Sequence, residues 1–208
     1  MTAVETTTFE SVDFCTLATV KAEIDATSVT TANDAAISRG ITDVSAMMTR
    51  YLGFHTLIGV RTEVYELRHG KRILTLDARP IPASPGITSL KIAQHPDDLS
   101  SVTQIDSRDY VVRREAGAIK FSRRMYPTTA YVEVTYSGGL ADDAAGMEAA
   151  YPELARACSS QVRYLIQRRD SLGGNVKSIA GNSTQFMSQY KLLHSVTSVL
   201  DAIRRQPI

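Results

Sequence analysis

Residues 129–139, TAYVEVTYSGG, and residues 151–170, YPELARACSSQVRYLIQRRD, decide the fold class. From Ala130 to Tyr136 the chain alternates. Tyr131, Glu133 and Thr135 fall on one face and Val132, Val134 and Tyr136 on the other, the two-residue period of a half-buried strand. Beyond a small-residue loop at 137–150 the period changes. Pro152 suits a first helical turn, where its missing N–H costs nothing, and Glu153 complements the helix dipole. Leu154, Cys158, Val162 and Leu165, with Ile166, then make one apolar stripe on a helix over 152–170, which Gly173–Gly174 ends. Strand and helix in succession, each with its own period, predict an α+β fold.

Working outward, residues 1–13 are Thr-rich and aperiodic and read as a flexible N-terminal arm. Leu17, Val20 and Ile24 predict a short helix over 16–25. Ile37, Ile41, Val44, Met48 and Tyr51 predict a second over 31–52, ended near Gly53. A sheet over 59–136 follows. Val60–Leu67 and Ile73–Leu76 read as a hairpin around residues 68–71, and Ile87–Ala93 as the next strand. Tyr110–Val112 and Ala118–Phe121 read as a second hairpin around Gly117. Between them ARPIPASPG (78–86) carries three prolines, so it reads as a crossover at an edge. Residues 171–188 read as a flexible loop, and 189–208 as a C-terminal amphipathic helix and tail. Phe186, just before it, shares a helical face with Tyr190, Leu193, Val196, Leu200 and Ile203, and Pro207 ends the helix. The expected architecture is an N-terminal helix pair, a small antiparallel β-sheet of hairpins and C-terminal helices. The core spans 14–170.

Composition narrows the function. Lys and Arg number 23 against 22 Asp and Glu, a net charge of +1, which argues against a protein built mainly to grip nucleic acid or an anionic membrane. The N-terminal MTAVETTTFESVDF has no basic segment followed by an apolar one, so no export signal is expected. No window approaches the roughly 18 apolar residues that span a bilayer. Cys15 and Cys158 lie far apart without a CxxC partner, which removes the usual zinc and redox signatures and leaves Cys158 as a buried free thiol.

A search for chemistry finds none. His55, His69, His95 and His194 stand in no metal-ligand spacing and read as loop or surface histidines. Asp97–Asp98 and Asp142–Asp143 are sequence neighbours in loops, which point apart and make poor acid–base pairs. In GGNVKS (173–178) Val176 precedes Lys177 where a phosphate loop needs glycine. No catalytic residue, cofactor site or metal site is expected, and a chain with a core but no site works through its surfaces.

The order of segments adds a resemblance. VYELRHGKRILTLDARPIPASPGITSLKIAQ (64–94) is followed by DYVVRREAGAIKF (109–121), YVEVTYSGG (131–139) and YPELARACSSQVRYLIQRR (151–169). From about Leu17 to Arg169 this resembles the head–tail connector (adaptor) proteins of long-tailed bacteriophages. The resemblance implies a non-enzymatic ring of identical subunits, commonly twelve, in the virion at the head–tail interface. Such a ring assembles in the host cytoplasm, docks on the portal protein, meets a downstream tail, stopper or terminator protein, and lets genome DNA pass through its lumen. On that reading the C-terminal helix and tail dock on the portal through Tyr190, Leu193, Val196, Leu200, Ile203, Arg204, Arg205, Gln206, Pro207 and Ile208. Arg163, Arg168 and Arg169 are candidates to face the DNA, which needs only loose, non-specific contact to slide. A stopper-like neck or tail-completion protein is the nearest alternative, and a nucleic-acid-binding module using the arginines of the helix at 152–170 a more distant one.

Overall fold

The structure is a computed structural model that describes residues 9–24, 33–67, 72–100, 102, 104–122, 130–172 and 191–204, apart from the side chains of residues 96 and 169–172. The element order is α1 (Leu17–Glu23), α2 (Asp34–Leu52), β1 (Gly59–Leu67), β2 (Ile73–Thr75), β3 (Ile87–Ala93), β4 (Tyr110–Arg113), β5 (Ala118–Phe121), β6 (Ala130–Gly138), α3 (Ala144–Ala150), α4 (Pro152–Leu172) and α5 (His194–Arg204). Short 3₁₀ turns occupy Pro96–Ser100 and Ser107–Asp109. The fold is α+β, as the two periods require. The chain divides into two compact units, one built on Gly53–Asp142 with the segment ending at Glu10, the other on Ser11–Leu52 and Asp143–Arg205.

The first unit holds two antiparallel three-stranded sheets, ordered β1-β6-β3 and β2-β5-β4. β6 is central in its sheet, so its inward residues have neighbours on both sides. Ala130, Val132, Val134 and Tyr136 are at most 1% exposed. They meet Leu90 and Ile92 of β3, and Ile119 and Phe121 of β5, in one apolar core. At about 25 cal/mol per Å², each buried Val or Ile here stabilises the unit by roughly 1.5–3 kcal/mol.

The expected hairpin of β1 and β2 does not form. β1 instead pairs with β6 over nine positions, Gly59↔Gly138 to Leu67↔Ala130, while β2 pairs with β5 over Ile73↔Lys120 to Thr75↔Ala118. The sequence between β1 and β2 lacks the two-residue Asn-Gly or Asp-Gly signal that fixes a hairpin register. The longer ladder with β6 therefore decides where β1 goes. The second hairpin is present: β4 and β5 pair from Tyr110↔Phe121 to Arg113↔Ala118. Gly117 has φ +59, and a Cβ there would lie 2.6 Å from that of Arg79. Only glycine fits that turn.

The second unit is helical, with α4 packed against α1, α2, α3 and α5. Its inward stripe includes Leu154, Cys158 and Val162 as the period predicts, together with the buried polar Ser159 and Gln161. Ile37, Ile41, Val44, Met48 and Leu52 bury the matching face of α2, while Tyr51 is half-buried. Thr16 caps α1 by accepting the Thr19 N–H at 3.2 Å.

α3 corrects the loop reading of 137–150. Ala144, Ala145, Ala149 and Ala150 favour helix, and Asp143 accepts the Gly146 N–H at 2.6 Å as an N-cap. Small residues there mark a short helix rather than a mobile connection. His55, expected in a loop or at the surface, lies between α2 and β1 but is only 9% exposed. Of the arm expected at 1–13, residues 1–8 lie outside the described residues, while Glu10 is hydrogen-bonded to His55 and Val12 is buried. Of the loop expected at 171–188, residues 171–172 continue α4 and 173–188, with Phe186, lie outside the described residues, as does the turn at 68–71 with His69.

Candidate functional site

The residues expected at a docking surface concentrate on α5. Its start is fixed by Gln161, a fully buried side chain of α4. The Gln161 carboxamide oxygen accepts the Leu193 N–H at 2.8 Å, and its amide lies 3.5 Å from the Lys191 carbonyl. One side chain thus takes up polar groups that precede the helix and would otherwise be unpaired. Further along, Tyr51 of α2 donates its hydroxyl to Asp201 at 2.9 Å, and the Arg204 guanidinium lies 5.8 Å from the Tyr51 ring centre.

Those contacts divide the expected docking residues. Val196 is 1% exposed and Leu200 fully buried, so both belong to the core of the helical unit. Leu193 and Ile203 are half-buried and Arg204 is exposed. Tyr190, Arg205, Gln206, Pro207 and Ile208 lie outside the described residues. Two open grooves flank the helix. One, of about 390 Å³, runs past Arg156, Ser160 and Val199. The other, of about 560 Å³, has an apolar floor of Met47, Tyr51 and Leu192 and a rim that includes Arg50 and Lys191.

The arginines expected to face DNA do not share one face. Arg163 is exposed, whereas Arg168 is half-buried with its guanidinium 3.4 Å from the Tyr164 hydroxyl. Five residues separate the two, about 140° around a helix of 3.6 residues per turn. The Arg169 side chain lies outside the described residues. Arg156, by contrast, lies seven residues before Arg163 and is exposed on the same face, with Ser160 between them. Its helical spacing was available in the sequence, but the clustered arginines at 168–169 draw attention away from it.

The polar centre of the sheet unit gathers the groups that could be mistaken for an active site. Glu63 of β1 accepts hydroxyl hydrogens from Tyr65 and from Tyr136, the latter at 2.7 Å. The two phenol oxygens in turn accept the backbone N–H groups of Asp77 (3.0 Å) and Ala78 (2.9 Å). The network therefore ties β1 and β6 to the segment that leaves β2. Burial, then the bond to Glu63, pushes both phenols far above the ordinary tyrosine range. Burial and the nearby Glu63 also raise Asp77. Each acidic hydrogen is held inside the network, so what the arrangement does is join strands.

The two thiols meet in the helical unit. Cys15 and Cys158 are both buried and free. The Cys15 thiol donates to Cys158, and this together with burial pushes Cys15 well above the usual thiol range. Among the described residues no three His, Cys, Asp or Glu side chains are placed to hold a metal ion. No described helix is long and apolar enough to cross a membrane.

Among the described residues, then, one unit holds two sheets and the other five helices, with polar groups engaged in joining elements and open grooves along α5. The family model described as "Head completion protein" matches residues 13–206. The chain belongs to the head completion protein family, which bears out the connector resemblance at family level. Two solved structures share the fold. One is a chain of the virion of the native gene transfer agent (GTA) particle, 14% identical, with a TM-score of 0.59 over 97% of this chain and 96% of that one. The other, from the neck of the empty GTA particle, is 15% identical, with a TM-score of 0.54 over 100% and 95%. A comparison with curated proteins returned no match.

Proposed function

We propose that the chain is a non-catalytic subunit of a virion neck, forming a homo-oligomeric ring that joins the capsid portal to the tail and lets genome DNA pass through its lumen. The observation that carries this reading is family membership over residues 13–206, nearly the whole chain. The shared fold of chains from the virion and neck of a GTA particle supports it. Repeated head-to-tail contacts between identical subunits close into a ring when the rotation closes, and on the order of twelve copies is the number the connector resemblance implies. Assembly in the host cytoplasm belongs to the same reading.

In this proposal the portal meets the C-terminal part of the helical unit. Val196 and Leu200 hold α5 in place, so the portal contact falls to the exposed Arg50, Lys191 and Arg204, together with Arg205, Gln206, Pro207 and Ile208 of the expected tail. The exposed Arg156 and Arg163 are the better candidates for loose contact with DNA, because they share a face. A downstream stopper or terminator protein occupies the opposite side of the ring.

The test is assembly of particles lacking this chain. Filled heads should fail to retain DNA and to acquire tails, and adding the purified chain should restore both. Tails that join heads normally in its absence would overturn the proposal. Restoration through a tail protein with no affinity for portal would instead make the chain a stopper-like component.

A further inference from the structure

His55 carries a contact that reaches far along the chain. Its Nδ1 accepts the backbone N–H of Glu10 at 2.8 Å, across 45 residues of sequence. An Nδ1 that accepts carries no hydrogen, so the neutral ring bears its hydrogen on Nε2. That nitrogen lies 3.9 Å from Glu63 Oε1. The Phe9 ring packs edge-on against the imidazole, with centres 5.3 Å apart and planes at 82°. The Glu10 carbonyl accepts the Thr56 N–H at 3.0 Å, and the Glu10 carboxylate pairs with Arg61.

We propose that Phe9–Glu10 form a strap on the sheet unit whose latch is the neutral imidazole of His55, and that protonating His55 releases it. The chemistry is direct. A proton on Nδ1 turns an acceptor into a donor and sets it against the Glu10 N–H, so that bond must break. The charged groups around the ring are Glu10, Arg61, Glu63 and Asp77. Burial, then the Arg61 charge, favours the neutral ring and outweighs the three carboxylates, which favour the charged one.

The sign follows. His55 has a lower pKa in the strapped state than the ordinary histidine value near 6.5. The latch is therefore whole above that value and weakens as pH falls through the lowered one. The Arg61–Glu10 pair and the bond from the Thr56 N–H to the Glu10 carbonyl are contacts that the imidazole does not make.

Long-range ¹H–¹⁵N correlation spectra of the histidine rings, with backbone amide spectra of the full chain from pH 7.5 to 5, test the strap. At pH 7.5 His55 should show the Nε2–H form. On acidification the Glu10 amide should lose its hydrogen-bonded shift with the same midpoint as His55, below 6.5, while amides of the central strand such as Val134 stay in place. In His55→Asn, whose side-chain oxygen can accept the Glu10 N–H but cannot titrate, the strap should stay docked across that range. An Nδ1–H ring at pH 7.5, a Glu10 amide that ignores the His55 titration, or release at the same pH in His55→Asn would each overturn the proposal. If His55→Asn does not fold, the titration of the unaltered chain decides alone.

Discussion

Glu148 of α3 accepts the Thr16 N–H at 2.7 Å, tying together segments 132 residues apart at the cap of α1. Burial pushes its carboxyl upward, but the bonds from Thr16 and Thr19 prevail and hold it below the ordinary carboxylate range. A carboxyl lowered by folding adds stability above its unfolded value, and that stability is lost as pH falls through the lowered value. Glu148→Gln keeps an acceptor for the Thr16 N–H but removes its charge, and should cost about 1 kcal/mol at pH 7. Melting curves should show the gap to the unaltered chain closing as pH falls toward 3; a gap constant with pH would contradict the assignment. Gly139 makes a steric case. Its φ is +137, and an added Cβ would lie 2.6 Å from the Ile58 nitrogen and the Leu57 carbonyl. Gly139→Ala should therefore destabilise by roughly 1–3 kcal/mol, read as a lower urea midpoint. Neither residue declared its role in sequence, where Gly139 and Glu148 both sat in a small-residue loop. Glu148 needed a partner 132 positions away, which no local pattern supplies.

At the scale of elements, the helices with long periodic stripes were legible. α2, α4 and α5 present their apolar residues at three- and four-residue intervals, and burial follows those stripes. α3 was not, because two turns of alanine carry no apolar period and only Asp143 marks the start. The pairing of β1 was misread for a different reason: alternation identifies a strand but not its partner. α5 supplies the sharpest test here. Leu200→Ala should cost about 2–5 kcal/mol, as a fully buried leucine does when a cavity is left. Gln161→Ala should also weaken the start of α5, leaving the Leu193 N–H without its partner. Hydrogen exchange should then quicken across α5 in both variants, with the sheet unit unaffected. Deleting residues 189–208 would expose α4 and α2, so loss of portal binding in that truncation would not separate docking from folding. Charge reversal of the exposed Arg204, with α5 still protected from exchange, is the cleaner probe.

For the whole molecule, function was legible mainly as an order of segments. Strand, proline-rich crossover, hairpin, strand and helix gave the connector resemblance, and the match to the head completion family over residues 13–206 agrees with it. The expected surfaces were less legible. A helical stripe shows that a face is apolar, not whether the chain's own core or a partner covers it, and Val196 and Leu200 prove to be core. Likewise a run of arginines does not mark a common face: Arg156 and Arg163 are exposed seven residues apart, whereas Arg168 is half-buried. With these two arginines exposed and a net charge of +1, DNA binding should be weak and its salt dependence shallow. A steep fall of affinity with salt in a titrated binding assay would favour a dedicated nucleic-acid-binding module instead.

The central claim is that this chain builds a ring against the portal. Native mass measurement of the purified chain, alone and mixed with the portal of its own particle, tests it most directly. The expected result is a complex with the portal carrying many copies of the 22.7 kDa chain, close to a multiple set by the ring's symmetry. A chain that stays a 22.7 kDa monomer in both samples would contradict it.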